Sequence, residues 1–160
     1  MTARLFAIIT LAAFYTAQII TGFDSSRAPA VALLMHANIF HLALNAWTAW
    51  LVIPARAPRS WVTLAIGTAL GILGIALSPT PTVGFSAAIY AMMGLRWHEV
   101  NSKANRVILA ASLALCLALP HVAFVAHVVP FACGIACAWI WRKTAVLALS
   151  KLMDHETKKG

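Results

Sequence analysis

The sequence predicts an all-α membrane protein of six transmembrane helices, packed as a compact bundle around a short central fourth helix. Three observations carry this reading. The 160 residues are 62% hydrophobic, with a mean hydropathy of +0.85. Charged residues make up only 10% of them, against roughly 25% in a soluble domain. Finally, six apolar segments can be drawn, at about 5–22, 38–53, 61–77, 85–97, 106–119 and 122–141. A spanning helix needs about 20 predominantly apolar residues, so six spans with short loops use nearly the whole chain. This leaves one domain over 1–143 and a basic tail over 144–160.

The punctuation supports each element in turn. Met1-Thr-Ala-Arg4 and the apolar run from Leu5 to Phe23 read as a first helix that is retained, because the rest of the chain is equally apolar. Asp24-Ser-Ser-Arg-Ala-Pro29 ends it, Pro54-Ala-Arg-Ala-Pro58 ends the second span, and Ser78-Pro-Thr-Pro81 ends the third. Gly67, Gly71 and Gly74 give the third span a small-residue face suited to close helix contact. The fourth span is short for a lipid-facing helix and reads as one walled in by the others. Asn101-Ser-Lys-Ala-Asn105 closes it. The tail has some amphipathic character and reads as an interfacial helix fading into disorder. Cys116, Cys133 and Cys137 lie in apolar runs and read as small buried hydrophobes.

The formal net charge of +8 invites a nucleic-acid reading, but its distribution excludes one. Arg4, Arg56, Arg59, Arg96, Lys103, Arg106, Arg142, Lys143, Lys151, Lys158 and Lys159 all fall at one side of a six-span topology, with Arg27 alone opposite. This is the positive-inside pattern, which places both termini in the cytoplasm. Most tryptophans fall near the cytoplasmic span ends, where an aromatic belt is expected. Chain size and topology suggest a bacterial inner membrane.

Polar groups inside spans are costly and are functional candidates by default. Removing the loops leaves Gln18, His41, Asn45, Ser86, Tyr90 and His127, with His36 just outside the second span. His41 and Asn45 are four residues apart and share a helix face, as do Ser86 and Tyr90. His36, five residues before His41, points elsewhere. Spans two, four and six enter from the same side. At 1.5 Å per residue, His41, Asn45, Ser86 and His127 therefore occupy the same outer half of the bilayer and can converge. A serine becomes a nucleophile when a neutral histidine accepts its proton, and Asn and a second His can donate to a developing oxyanion. The only acids are Asp24, Glu99, Asp154 and Glu156, in a loop or on the cytoplasmic side. The composition therefore allows a Ser-His dyad rather than a triad. Gln18 has no partner evident by spacing.

These residues fall in a recognisable order. His36-Ala-Asn-Ile-Phe-His41-Leu-Ala-Leu-Asn45 resembles the rhomboid pattern H-x4-H-x3-N at the head of the second helix. Gly84-Phe-Ser86-Ala-Ala-Ile-Tyr90 resembles that family's G-x-S-G segment and its following tyrosine. His127 followed by Gly134 resembles its catalytic-histidine helix. The resemblance implies an intramembrane serine protease with Ser86 as nucleophile and His127 as base. It makes His41, Asn45 and the Ser86 backbone N–H the oxyanion donors, Tyr90 a support for His127, and His36 structural. It implies neither metal nor organic cofactor. Substrates would be single-span or other membrane proteins entering from the bilayer. An inactive relative that binds membrane clients is the alternative, and a channel is disfavoured by the lack of charge at midplane depth. Three departures from the family pattern carry expectations of their own. Ala87 replaces a glycine and is expected to crowd helix six, Pro130 replaces another and is expected to kink that helix, and the loop after the first helix is short.

Overall fold

A computed structural model describes residues 1–22, 28–100, 102–118 and 123–157. The segment holding Asp24 and Arg27, the residues around Pro120, and the terminal residues Lys158 and Lys159 lie outside the described residues. Eight helices follow one another among the described residues: α1 (Ala3–Thr21), α2 (Pro29–Ala32), α3 (Ile39–Val52), α4 (Arg59–Ala76), α5 (Ser86–Leu95), α6 (Trp97–Val100), α7 (Lys103–Ala118) and α8 (Phe124–Thr157). No strand occurs among them. Each of the six expected spans corresponds to one long or intermediate helix, and α2 and α6 are short additions in the connections.

Helices α1, α4 and the first 22 residues of α8 are long and apolar enough to cross a membrane, while α3 and α5 are shorter apolar helices. Large side chains such as Phe40 (82% exposed), Ile20 (77%) and Leu117 (68%) point outward. Such exposure, on a chain with helices apolar and long enough to cross a membrane, is what a lipid-facing surface requires. The chain is an integral membrane protein.

The helix starts are set by local chemistry. Thr2 caps α1 by accepting from the Leu5 N–H, and Gly22 ends it in the left-handed conformation, φ 61°. Asn38 caps α3 by accepting from the His41 N–H at 2.9 Å, which fixes where His41 enters its helix. Helix α8 continues without a break beyond Lys143 to Thr157, where the sequence had suggested a separate interfacial segment.

Helix α5 is the centre of the fold. At 10 residues it is about 15 Å long, and Ala87, Ala88, Ala91 and Met92 are completely buried. It packs chiefly against α8 and α4, and glycines set how close those contacts are. A Cβ at Gly71 would lie 2.6 Å from the Ala88 backbone nitrogen and 2.8 Å from its Cα. On the other flank, Gly94 faces the Phe131 carbonyl of α8, and Gly134 faces the Ala91 carbonyl of α5. Lipid tails are as apolar as leucine, so membrane helices gain little from apolar burial alone and gain from such backbone proximity.

The packing shows where two of the family departures lie. Pro130 removes a helical donor, yet its ring sits against Gly74, where a Cβ would lie 2.7 Å from the proline Cδ and 3.0 Å from the Ala126 carbonyl. The missing side chain of α4 makes room for the extra ring of α8. The methyl of Ala87 is fully buried in the core.

Gly71→Ala must push backbone against backbone, so it is expected to destabilise the protein by about 1–3 kcal/mol, the usual cost of overpacking. Thermal loss of helicity in detergent would check this against Leu73→Ala, which changes an exposed position of the same helix. Equal midpoints for the two variants would mean that α4 and α5 do not approach so closely.

Candidate active site

The candidate residues come from three helices and the turn before α5. Gly84 holds φ 116°, a conformation that side chains rarely adopt. Its N–H donates to the Ala32 carbonyl at 2.9 Å, tying the turn to α2. A Cβ there would fall 2.5 Å from His41 Cε1 and 3.3 Å from Asn45 Nδ2. Glycine at this point therefore lets the turn lie directly against the His41 and Asn45 face of α3. Ser86 then opens α5, so its backbone N–H is among those a helix start leaves without an intrahelical acceptor.

Across the close α5–α8 contact, Ser86 Oγ lies 2.8 Å from His127 Nε2. The other ring nitrogen, Nδ1, lies 2.8 Å from the carbonyl oxygen of Ala123, four residues earlier and just before α8. A carbonyl only accepts, so this contact requires a proton on Nδ1 and leaves Nε2 of the neutral ring as an acceptor for the serine hydroxyl. His127 is 5% exposed. The place that a carboxylate would take in a triad is filled by backbone. Asp24, the one acid assigned to the outer side, lies outside the described residues.

The ring of Tyr90, one turn below Ser86, meets His127 edge to face, with centroids 4.8 Å apart at 69°. Its hydroxyl donates to Ser112 Oγ of α7 at 2.7 Å, and Ser112 Oγ donates to the Leu109 carbonyl at 2.9 Å. Sequence reasoning missed Ser112. It is a polar side chain in the middle of an apolar span, the same signal that marked Ser86, but it lacks a helix-spaced partner. Cys116, read from sequence as a small buried hydrophobe, is buried yet lies at the site, with Sγ 4.0 Å from His127 Nδ1.

His36 is fully buried and stands outside the Ser86–His127 pair. Its Nδ1 lies 3.0 Å from the Leu34 carbonyl, and its ring meets His41 at 5.2 Å and 64°. Gln18 of α1 holds the His36 backbone at both groups, donating to its carbonyl and accepting from its N–H, each at 3.1 Å. That partner was invisible to helical spacing because it lies in a loop on another element.

A cavity of about 610 Å³ joins these groups, lined by His41, Asn45, Ser86, Tyr90, Ser112 and His127 among others. Asn45 is 4% exposed, and its Nδ2 has no hydrogen-bond partner among the described residues. A buried amide donor left unmade costs about 1–3 kcal/mol, so its position beside the cavity is itself informative. An unprotonated imidazole nitrogen facing a serine hydroxyl, with open N–H donors beside it, is the arrangement for attack on a carbonyl carbon.

The Tyr90–Ser112 contact gives a testable coupling. Tyr90→Phe and Ser112→Ala should be less damaging together than their separate losses sum to, by about 0.6 kcal/mol, the average for interhelical hydrogen bonds in a membrane protein. Unfolding by a denaturing detergent would measure this cycle, and strictly additive losses would show that the two hydroxyls are not coupled.

No curated protein matches the chain. The family profile described as Rhomboid domain matches residues 27–144, which is 118 of the 160 residues. That span runs from just before α2 into α8 and contains Ser86, His127, His41, Asn45, Tyr90 and Ser112, so the chain belongs to the rhomboid family.

Proposed function

We propose that this protein is an intramembrane serine endopeptidase that uses a Ser86–His127 dyad. The observation that carries the reading is the 2.8 Å Ser86 Oγ to His127 Nε2 contact, in a ring whose Nδ1 proton is held by the Ala123 carbonyl. Ser86 Oγ attacks the carbonyl carbon of a peptide bond in or near a transmembrane segment, and its proton passes to His127 Nε2. The tetrahedral oxyanion is met by the Ser86 N–H, by Asn45 Nδ2 and by His41. Collapse breaks the C–N bond, and the imidazolium returns the proton to the departing amine. Water, deprotonated by the same nitrogen, then releases the acyl group and restores the serine. Tyr90 keeps the imidazole plane in place through both steps.

In this reading α1, α3, α4, α5, α7 and α8 each cross the bilayer, with α5 sheltered from lipid by its neighbours. The basic ends of the helices face the cytoplasm of a bacterial cell, and the catalytic cavity opens to the opposite face. Substrates are other membrane proteins arriving laterally from the bilayer.

Covalent labelling with a fluorescent fluorophosphonate tests the reading. Wild-type protein in detergent should label, Ser86→Ala should not, and His127→Ala should label at least 10³-fold more slowly, given what loss of one member costs a serine-histidine unit. Failure of a demonstrably helical wild type to label would instead identify a client-binding relative without hydrolytic activity. A second outcome concerns the turn. Gly84→Ala strains the φ 116° turn that leads into Ser86 and drives a Cβ against His41, so turnover of a membrane-protein substrate should fall by at least about 100-fold, the loss expected for one oxyanion donor. Unchanged turnover would show that neither this turn nor His41 bears on the mechanism.

A further inference from the structure

At the end of the bundle opposite Ser86, the basic residues build a second cavity of about 490 Å³ between α4, α8 and the α5–α6 junction. We propose that it binds one anionic phospholipid, with the phosphate at its basic rim and an acyl chain along its apolar floor.

Among the described residues, the rim is made by Arg59, Arg96 and Arg142, with Glu99 as the only carboxylate in the lining, for a net charge of 3 − 1 = +2. These four residues are not equivalent. Glu99 pairs with both Arg59 and Arg96, and Arg96 also donates to the Val52 carbonyl. Its side chain is only 17% exposed, so Arg96 is committed to holding helix ends together. Arg59 has a side chain 62% exposed, and Arg142 is exposed on α8. One carboxylate cannot neutralise three guanidinium groups, and the two exposed ones retain N–H donors in a fork that suits a phosphate.

Below the rim the lining turns apolar. Val62 and Ile66 continue along α4, one and two turns from Arg59, and Ala138 faces them from α8. Trp141 (66% exposed) also lines the cavity, and α4 and α8, which supply most of the lining, are long and apolar enough to span a membrane. Charge at one end and an apolar slot at the other match a lipid rather than a free anion, which would leave the slot unfilled. Nearby cations lie on indole faces rather than in the cavity: Arg4 over Trp50 at 5.2 Å and Lys143 over Trp139 at 4.9 Å. The basic character of this end is therefore divided between interfacial anchors and a built pocket. Basic recesses between membrane helices on the cytoplasmic side take anionic head groups for this reason.

The test is native mass spectrometry of the full chain in detergent, with phosphatidylglycerol or phosphatidylcholine carrying the same acyl chains. One phosphatidylglycerol should remain bound at concentrations where phosphatidylcholine does not. Arg59→Gln with Arg142→Gln should weaken its retention at least tenfold. The charge-matched control, Arg56→Gln with Lys143→Gln, lies outside the cavity and should leave retention unchanged. Ile66→Trp, which fills the slot without altering charge, should also weaken it. Equal retention of both lipids, or equal loss in the test and control pairs, would reduce the effect to general surface charge and overturn the proposal. Displacement by millimolar inorganic phosphate, with no effect of Ile66→Trp, would mark a free-anion site and overturn it as well. Fluorophosphonate labelling of the same variants separates this result from the protease reading, since none of the substituted residues lines the catalytic cavity.

Discussion

The distance between the backbones of α5 and its two neighbours is the constraint on which the rest depends. A hydrogen bond between side chains of different helices survives only a few tenths of an ångström of drift. In a bilayer, no hydrophobic force between helices corrects such drift. Here α5 is clamped on both flanks by missing side chains: Gly71 against the Ala88 backbone on one side, Gly94 and Gly134 against facing carbonyls on the other. Ser86 sits at the first position of that clamped helix, and His127 sits in the helix against which it is clamped. The serine–histidine distance is therefore a property of the packing as much as of the pair itself.

The second organising principle is the satisfaction of polar atoms without water. The His127 ring is oriented by the Ala123 carbonyl just before its helix, the Tyr90 hydroxyl finds Ser112, and Ser112 finds Leu109. Each polar group is answered locally or by one neighbouring helix, as a hydrocarbon medium requires. Among the described residues, the buried side-chain atoms without partners are His36 Nε2 and Asn45 Nδ2. Only the second belongs to a residue that lines the cavity, and in the mechanism proposed above a donor held ready costs no reorganisation when negative charge develops beside it.

Much of this was legible in the sequence because membrane chemistry leaves so few polar residues to consider. The helical segments followed from apolar runs and proline or glycine breaks. The shared face of His41 and Asn45 followed from a four-residue spacing. What escaped was whatever depends on two elements meeting at an angle that sequence does not encode. Ser112 looked like any serine in a span, Cys116 like any small hydrophobe, and Gln18 had no helical neighbour to signal its loop partner. Pro130 was expected to bend its helix, but periodicity does not show that Gly74 lies opposite the ring.

The clamp that Gln18 places on His36 also separates two boundaries that are easily taken as one. The family match begins at residue 27, so α1 lies outside it. Yet α1 contributes Ala3, Ala7 and Leu11 to the buried core, Arg4 donates to the Ile53 carbonyl at 2.7 Å, and Gln18 supplies both partners of the His36 backbone. Without α1, that amide and carbonyl would face a medium with nothing to offer them, immediately upstream of the helix that carries His41 and Asn45. The span that the family profile matches is thus smaller than the span that packs as one core. A helix outside the match acts as a scaffold for residues inside it.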